Sequence, residues 1–134
     1  MWSALRPHLV GWGLDPWRVE TASKDGIPDV NYTYGWIELK TIPAWPKRAA
    51  TVVAIDHFTP EQRVWGIKRW RAGGLSWHLL RVGNGPDADW LLFDGETAGR
   101  YVGHVDKEKL FTLAHTAVKS PSHLNILAEV KIKW

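Results

Sequence analysis

The chain has 134 residues, and a chain of this size buries roughly two-thirds of its unfolded surface in one core, so we expect a single domain over residues 1–134. It contains no cysteine, which excludes a disulfide framework and cysteine-ligated zinc and gives no sign of secretion. The N-terminal segment, interrupted by Arg6, Pro7 and His8, is too short for a membrane span, and we expect a cytoplasmic protein.

The net charge of +3 is unevenly distributed along the chain. Residues 1–40 carry four basic and five acidic side chains, residues 41–72 carry six and two, and residues 73–134 carry seven of each. The basic excess is therefore concentrated in the middle of the chain, at Lys47, Arg48, Arg63, Lys68, Arg69 and Arg71. Such a stretch suits contacts to nucleic-acid phosphates, although an ordinary solvated helix face would have the same composition.

The first predicted elements are a helix over residues 2–10, a hairpin over about 30–41, and an extended segment at 49–55. In the hairpin, VNYTY returns as WIELK after a turn near Tyr34-Gly35. A second helix begins at Thr59 and runs to residues 72–74. Thr59 as the N-cap, Pro60 at the first helical position and Gln62 at the third form a capping box.

The second half of the chain predicts two strands, SWHLLRV and DWLLFDG, joined by a glycine-rich turn at residues 83–85. Asp106 can cap a helix from residue 107 to about 118. Alternation of apolar and charged side chains over residues 126–134 predicts a closing strand. This order of elements is typical of an α/β fold, in which helices flank a central sheet.

The most informative motif is Pro28-Asp29, followed nine positions after Asp29 by Glu38-Leu39-Lys40. On a strand, Glu38 and Lys40 share one face while Leu39 points into the core, and the hairpin brings Asp29 towards Glu38. Two carboxylates and the Leu39 carbonyl are hard ligands of the kind that Mg²⁺ or Mn²⁺ prefers, and Lys40 could orient a water or offset charge on phosphorus. The alternative is a surface hairpin with a cross-strand ion pair.

Short motifs of this kind also occur by chance. Glu129-Val130-Lys131 repeats the triplet, but no Pro-Asp pair precedes it at the length of a hairpin, and we interpret it as the outer face of the closing strand. The other Pro-Asp pair, Pro86-Asp87, lies in a glycine-rich segment that leads to no such triplet, and we interpret it as a turn.

Over about residues 15–94 the chain resembles the PD-(D/E)XK nucleases, and in particular small phage-encoded members of the virus-type replication-repair nuclease (VRR-NUC) and archaeal-type Holliday junction resolvase kind. The resemblance implies a restriction-endonuclease-like core with a mixed central β-sheet flanked by helices. It also implies that Glu20, in Arg18-Val19-Glu20, is an outer metal ligand. Gln62 resembles the glutamine that these nucleases direct at the site, so its capping role and a catalytic role both remain open.

The predicted function is therefore a Mg²⁺- or Mn²⁺-dependent DNA endonuclease, selective for DNA structure and active in phage DNA replication, recombination or repair in the host cytoplasm. Branched or duplex DNA is the expected partner, and a homodimer is expected because junctions present paired strands. One alternative is a non-catalytic nucleic-acid-binding module on the same fold. A carbohydrate-binding domain would account for the ten tryptophans but would need neither Asp29 nor Lys40.

Overall fold

The protein is described by a computed structural model that covers residues 1–19 and 25–129. The helices are α1 (Trp2–Gly11), α2 (Pro60–Arg71), α3 (Gly95–Tyr101) and α4 (Lys107–Leu113). The strands are β1 (Trp17–Arg18), β2 (Val30–Tyr32), β3 (Gly35–Ile42), β4 (Leu75–Val82), β5 (Asp89–Asp94) and β6 (Thr116–Val118). Three short 3-10 helices cover Gly85–Asp87, Pro121–His123 and Asn125–Ala128.

The strands form one six-stranded mixed sheet, in the same order as in the sequence. β3 and β4 are parallel, and the other neighbouring strands are antiparallel. A parallel pair needs a long crossover, and the segment with α2 provides it. The α/β fold class with a mixed sheet and flanking helices is confirmed, as are the hairpin, the first two helices and the antiparallel pair of β4 and β5.

The core has two parts, which lie on opposite faces of the sheet. Along β4, Trp77 and Leu79 belong to one apolar cluster, which also contains Leu5 and Leu9 of α1. Leu80, with other residues of β4 and β5, belongs to a second cluster, to which the loop after β3, α3 and α4 contribute. Alternate side chains of a strand point to opposite faces, so β4 is a central strand that is covered on both sides.

Helix α2 begins as the sequence predicts and packs closely against α3. Thr59 and Gln62 form the reciprocal capping box, and Pro60 opens the helix. A Cβ atom on Gly95 would lie 2.6 Å from the carbonyl oxygen of Gly66, so only glycine allows α3 to approach α2 this closely. This packing fixes the position of α2 over the face of the sheet that carries the even-numbered residues of β3 and β4.

The structure differs from the sequence prediction at α4. Asp106 caps the helix as expected, accepting a hydrogen bond from the Lys109 backbone N–H, but the helix ends at Leu113 instead of about residue 118. The chain then pairs with β5, beginning with a bond from the His115 N–H to the Leu92 carbonyl and continuing as β6. Pairing with the open edge of the sheet outweighs continuation of the helix, and a local sequence pattern does not reveal that edge.

Three further segments differ from expectation. The predicted extended segment at 49–55 makes one isolated bridge, from Val52 to Asp106, instead of a strand. The described part of the predicted closing strand is the 3-10 helix Asn125–Ala128, while residues 130–134 lie outside the described residues. Helix α3 was not predicted, although Asp94, which caps it, is a recognisable helix start. Within the described residues, no helix is long and apolar enough to cross a membrane.

Candidate active site

The β2–β3 hairpin brings Asp29 against the triplet. Asp29 immediately precedes β2, and the register pairs Val30 with Ile37, so Asp29 is next to Glu38 across the hairpin. One carboxylate oxygen of Asp29, Oδ2, accepts a hydrogen bond of 2.8 Å from the backbone N–H of Leu39. The other, Oδ1, lies 4.0 Å from the guanidinium of Arg18 on β1. The Asp29 side chain is thus fixed by the backbone of the motif that it was predicted to join.

Glu38 and Lys40 lie on the same face of β3 and are each only 6 % exposed. The Lys40 ammonium lies 3.1 Å from Oε1 of Glu38 and donates a hydrogen bond of 3.0 Å to the backbone carbonyl of His57. Leu39 packs against the opposite apolar cluster. Buried charges are stable only when each is paired, and here the Lys40 ammonium and the Glu38 carboxylate are each other's partner. The alternative of a cross-strand ion pair on a surface hairpin therefore does not describe Glu38 and Lys40, which pair along one strand and are buried.

Burial and the nearby charge of Asp29 raise the pKa of Glu38 to about 7. The charge of Lys40 opposes the shift but does not cancel it. A carboxyl with this pKa is poised between its neutral and ionised forms near neutral pH. Strongly shifted groups of this kind occur preferentially at functional sites.

The donor set fits a hard divalent cation. Apart from the ion pair with Lys40, neither carboxylate oxygen of Glu38 has a hydrogen-bond partner among the described residues. Among the described residues, one carboxylate oxygen of Asp29 accepts no backbone hydrogen bond, and Leu39, whose carbonyl is the third predicted ligand, directly follows Glu38 in the sequence. Within residues 1–19 and 25–129, no third His, Cys, Asp or Glu side chain joins Asp29 and Glu38 in a group that could hold a metal, so the side-chain ligands of this set number two and the Leu39 carbonyl is the third donor. Glu20, the predicted outer ligand, lies outside the described residues.

The side chain of Gln62 makes the capping box and also lines a small cavity beside Glu38. Its Oε1 accepts a hydrogen bond of 2.9 Å from the backbone N–H of Thr59. Gln62, Glu38 and His78 are among the residues around the cavity. The capping role is therefore present, and a catalytic role for Gln62 stays a prediction.

His78 is a buried member of this site that the sequence analysis did not identify. Burial, together with the charge of Lys40, lowers the pKa of His78 to about 3, so the ring is neutral at physiological pH. Its register partner on β3 is Glu38. The sequence pattern of β4 places His78 on a strand but does not identify the neighbouring strand, so only the tertiary structure reveals this proximity.

The predicted phosphate-binding residues fall into two groups. Lys47 and Arg48 are exposed in the loop after β3, and Lys68 and Arg69 are exposed on α2. The guanidinium of Arg69 lies over the ring of Trp65 at 4.6 Å. These four side chains are accessible to a ligand, as the prediction requires.

Arg63 is held differently from the other four. Its guanidinium lies 4.2 Å from the ring centroid of Phe58 and donates a hydrogen bond of 3.3 Å to the carbonyl of Gly99. Burial lowers its pKa. Arg71, also in the basic stretch, forms an ion pair of 2.6 Å with Glu96. Arg63 thus has a structural role in attaching α2 to α3, and its role in nucleic-acid binding stays a prediction.

A groove of about 410 Å³ lies beside the site, between residues 41–46 and 53–57 of the loop that follows β3. The carbonyl of His57, which binds Lys40, is at one end of this loop, and Lys47 is near its middle. Trp45 lines the groove, and its indole N–H donates a hydrogen bond of 2.8 Å to Asp89. The groove is therefore lined by the loop whose His57 carbonyl binds Lys40 and which also carries the exposed Lys47 and Arg48.

No protein-family model matches the sequence, and no curated protein matches it. The structure is similar to a solved structure of Hjc, a Holliday junction resolvase from the archaeal hyperthermophile Archaeoglobus fulgidus. The similarity has a TM-score of 0.52 at 18 % sequence identity and covers 93 % of this chain and 94 % of the resolvase. The chain thus has the restriction-endonuclease-like fold of an archaeal Holliday junction resolvase, which confirms the resemblance at the level of the fold.

Proposed function

We propose that this protein is a divalent-metal-dependent DNA endonuclease that recognises DNA structure, with branched DNA as its preferred substrate. The observation that carries the proposal is the proximity of Asp29 to Glu38 and Lys40 across the hairpin, on a fold shared with a Holliday junction resolvase. Neither the fold nor the motif would suffice alone, because one fold hosts many functions and a short triplet occurs by chance.

Asp29, Glu38 and the carbonyl of Leu39 would hold Mg²⁺ or Mn²⁺, which supplies an activated water and neutralises charge on the scissile phosphate. Binding requires Glu38 to be ionised, and the neighbouring ammonium of Lys40 favours that form. Lys40 would then orient the attacking water or stabilise negative charge on the phosphorus. The carbonyl of His57 holds the Lys40 ammonium in place for this role.

The exposed cations on two elements would bind phosphates on either side of the scissile bond. Lys47 and Arg48 approach from the loop after β3, and Lys68 and Arg69 from α2. Contacts to phosphate position the nucleic acid without reading its sequence, so selectivity would come from the path of the backbone. A homodimer would present two such sites to opposed strands of a junction. We further propose a role in phage DNA replication, recombination or repair.

The test is cleavage of labelled four-way junction, flap, duplex and single-stranded DNA with Mg²⁺ or Mn²⁺, combined with light scattering to determine the oligomeric state. A dimer that introduces paired nicks in the junction is the expected result. A monomer that cuts flaps or single strands equally well would contradict the preference for junctions but not the nuclease activity. Tight, metal-independent binding without cleavage would instead identify a non-catalytic DNA-binding module.

A further inference from the structure

The buried polar and charged residues of the described structure are concentrated on one face of two strands. Glu38 and Lys40 come from β3, and Ser76 and His78 come from β4. His78 is the register partner of Glu38 in the parallel β3–β4 pair. Neighbouring strands lie about 4.8 Å apart and paired residues point to the same side. The imidazole and the carboxylate are therefore neighbours on the face that carries the proposed site.

Both of these neighbours have unused capacity for hydrogen bonds. Among the described residues, neither ring nitrogen of His78 and neither oxygen of Glu38 has a hydrogen-bond partner, apart from the ion pair of Glu38 with Lys40. Buried polar groups are almost always paired, so an unpaired one in a folded protein requires a physical explanation, of which a bound ion is one. Here a donor group and an acceptor group are unpaired side by side.

The surroundings allow the two groups to meet. Both line the same small cavity, of about 10 Å³. The imidazole is packed between two aromatic rings, with centroid distances of 4.5 Å to Phe58 and 6.2 Å to Phe93, which restrict its orientation. A neutral imidazole has one N–H donor, and this donor is compatible with an ionised carboxylate. The two side chains thus face a shared space in which such a hydrogen bond can form.

We propose that His78 is a positioning residue for Glu38, with a ring N–H that donates a hydrogen bond to the carboxylate while Glu38 holds a divalent cation. The inference rests on the proposed function, because it assigns Glu38 as a metal ligand. Such a hydrogen bond fixes the orientation of the Glu38 carboxylate, whose oxygens would bind the cation. Partners of this kind are required for full metal affinity. His78 itself contacts neither the cation nor the DNA.

The test is the affinity for Mn²⁺, measured by isothermal titration calorimetry, together with the thermal unfolding of each metal-free protein. His78→Leu removes the donor and should weaken Mn²⁺ binding by about 10–100-fold. His78→Asn and His78→Gln place an amide donor near the positions of Nδ1 and Nε2, respectively. One of these two should recover most of the affinity, and it identifies the nitrogen that donates. If the Leu variant does not fold, His78→Phe replaces it, since its ring suits the contacts with Phe58 and Phe93.

The matched control is Ser76→Ala, on the same strand and face, because Ser76 pairs in register with Trp36 instead of Glu38. It should leave Mn²⁺ affinity unchanged. Wild-type affinity in a folded His78→Leu or His78→Phe variant would overturn the role of His78, as would an equal loss in Ser76→Ala. If the wild-type protein itself binds no Mn²⁺, the metal-dependent function fails and the inference fails with it. Mn²⁺ binding by the wild-type protein therefore distinguishes a failure of the His78 role alone from a failure of the metal-dependent function.

Discussion

The two faces of strands β3 and β4 bury very different side chains. On one face, Ile37, Trp77 and Leu79 are almost fully buried within an apolar cluster under α1. On the other, Glu38 and His78 are also buried, yet among the described residues their polar atoms have no hydrogen-bond partner apart from the ion pair of Glu38 with Lys40. Burial of apolar side chains stabilises the fold, whereas burial of unpaired polar groups opposes it. The first face therefore stabilises the sheet, whereas the second combines an apolar cluster around Leu80 with buried polar groups of the kind found at functional sites.

The largest expected effect comes from the polar face. Asp29→Asn, Glu38→Gln and Lys40→Met should each reduce cleavage by about 100-fold or more, because each removes a charge that is needed in the transition state. The metal affinity should fall in the two carboxylate variants and remain in the lysine variant. Cleavage rates and Mn²⁺ calorimetry check this. Near-wild-type cleavage by any two of the three variants would contradict the proposed site.

The apolar face should show the opposite result. Leu79→Ala, which leaves a cavity in the core under α1, should lower the free energy of unfolding by about 2–5 kcal/mol. The loss is structural, so cleavage at a temperature where the variant remains folded should stay within a few-fold of wild type. Denaturant unfolding monitored by circular dichroism, together with a cleavage assay on the same sample, makes the comparison. A stable but inactive Leu79→Ala protein would show that the two faces are not functionally separate.

The exposed cations outside the sheet are expected to affect DNA affinity in a salt-dependent way. Replacing Lys68 and Arg69 by glutamine should weaken binding to all sequences alike and reduce the slope of log affinity against log salt by about 0.9 for each phosphate that is no longer neutralised. Lys109→Gln on α4, also exposed, is the matched control. Equal slopes for the double variant and the wild type would place the DNA on another surface.

The polar face also predicts a pH effect on the stability of the metal-free protein. The folded-state pKa of Glu38, about 7, lies above its ordinary value of 4.5, so the unfolded chain releases this proton first. The contribution of Glu38 is therefore fully present below pH 4.5 and is lost as the pH rises through 7. His78 acts in the opposite sense, because its lowered pKa reduces stability as the pH falls from 6.5 towards 3.

Glu38→Gln separates the two contributions. The free energy of unfolding of the wild type, compared with that of Glu38→Gln, should fall between about pH 4.5 and 7. The metal affinity of the wild type should rise over the same range as Glu38 ionises. Melting temperatures of both proteins across that range provide the measurement. A pH-independent difference between them would show that Glu38 is not the buried acid described here.

The sequence by itself determined much of the local arrangement. Alternation along the strand puts Glu38 and Lys40 on one face and Leu39 on the other, and the short turn returns the chain so that Asp29 meets the triplet. The Thr59–Gln62 capping box likewise follows from neighbouring residues alone. These features depend on contacts between residues close in the chain, for which side-chain period and turn chemistry are sufficient.

The tertiary structure alone decided which strands and loops meet. A period of two shows that His78 lies on a strand, but it does not show that Glu38 is its partner, because register depends on packing of the whole sheet. The bond from Lys40 to the His57 carbonyl and the bond from Arg63 to the Gly99 carbonyl likewise join residues from different elements. The early end of α4 has the same cause: the open edge of β5 exists only after the sheet has formed, and β6 then pairs with it.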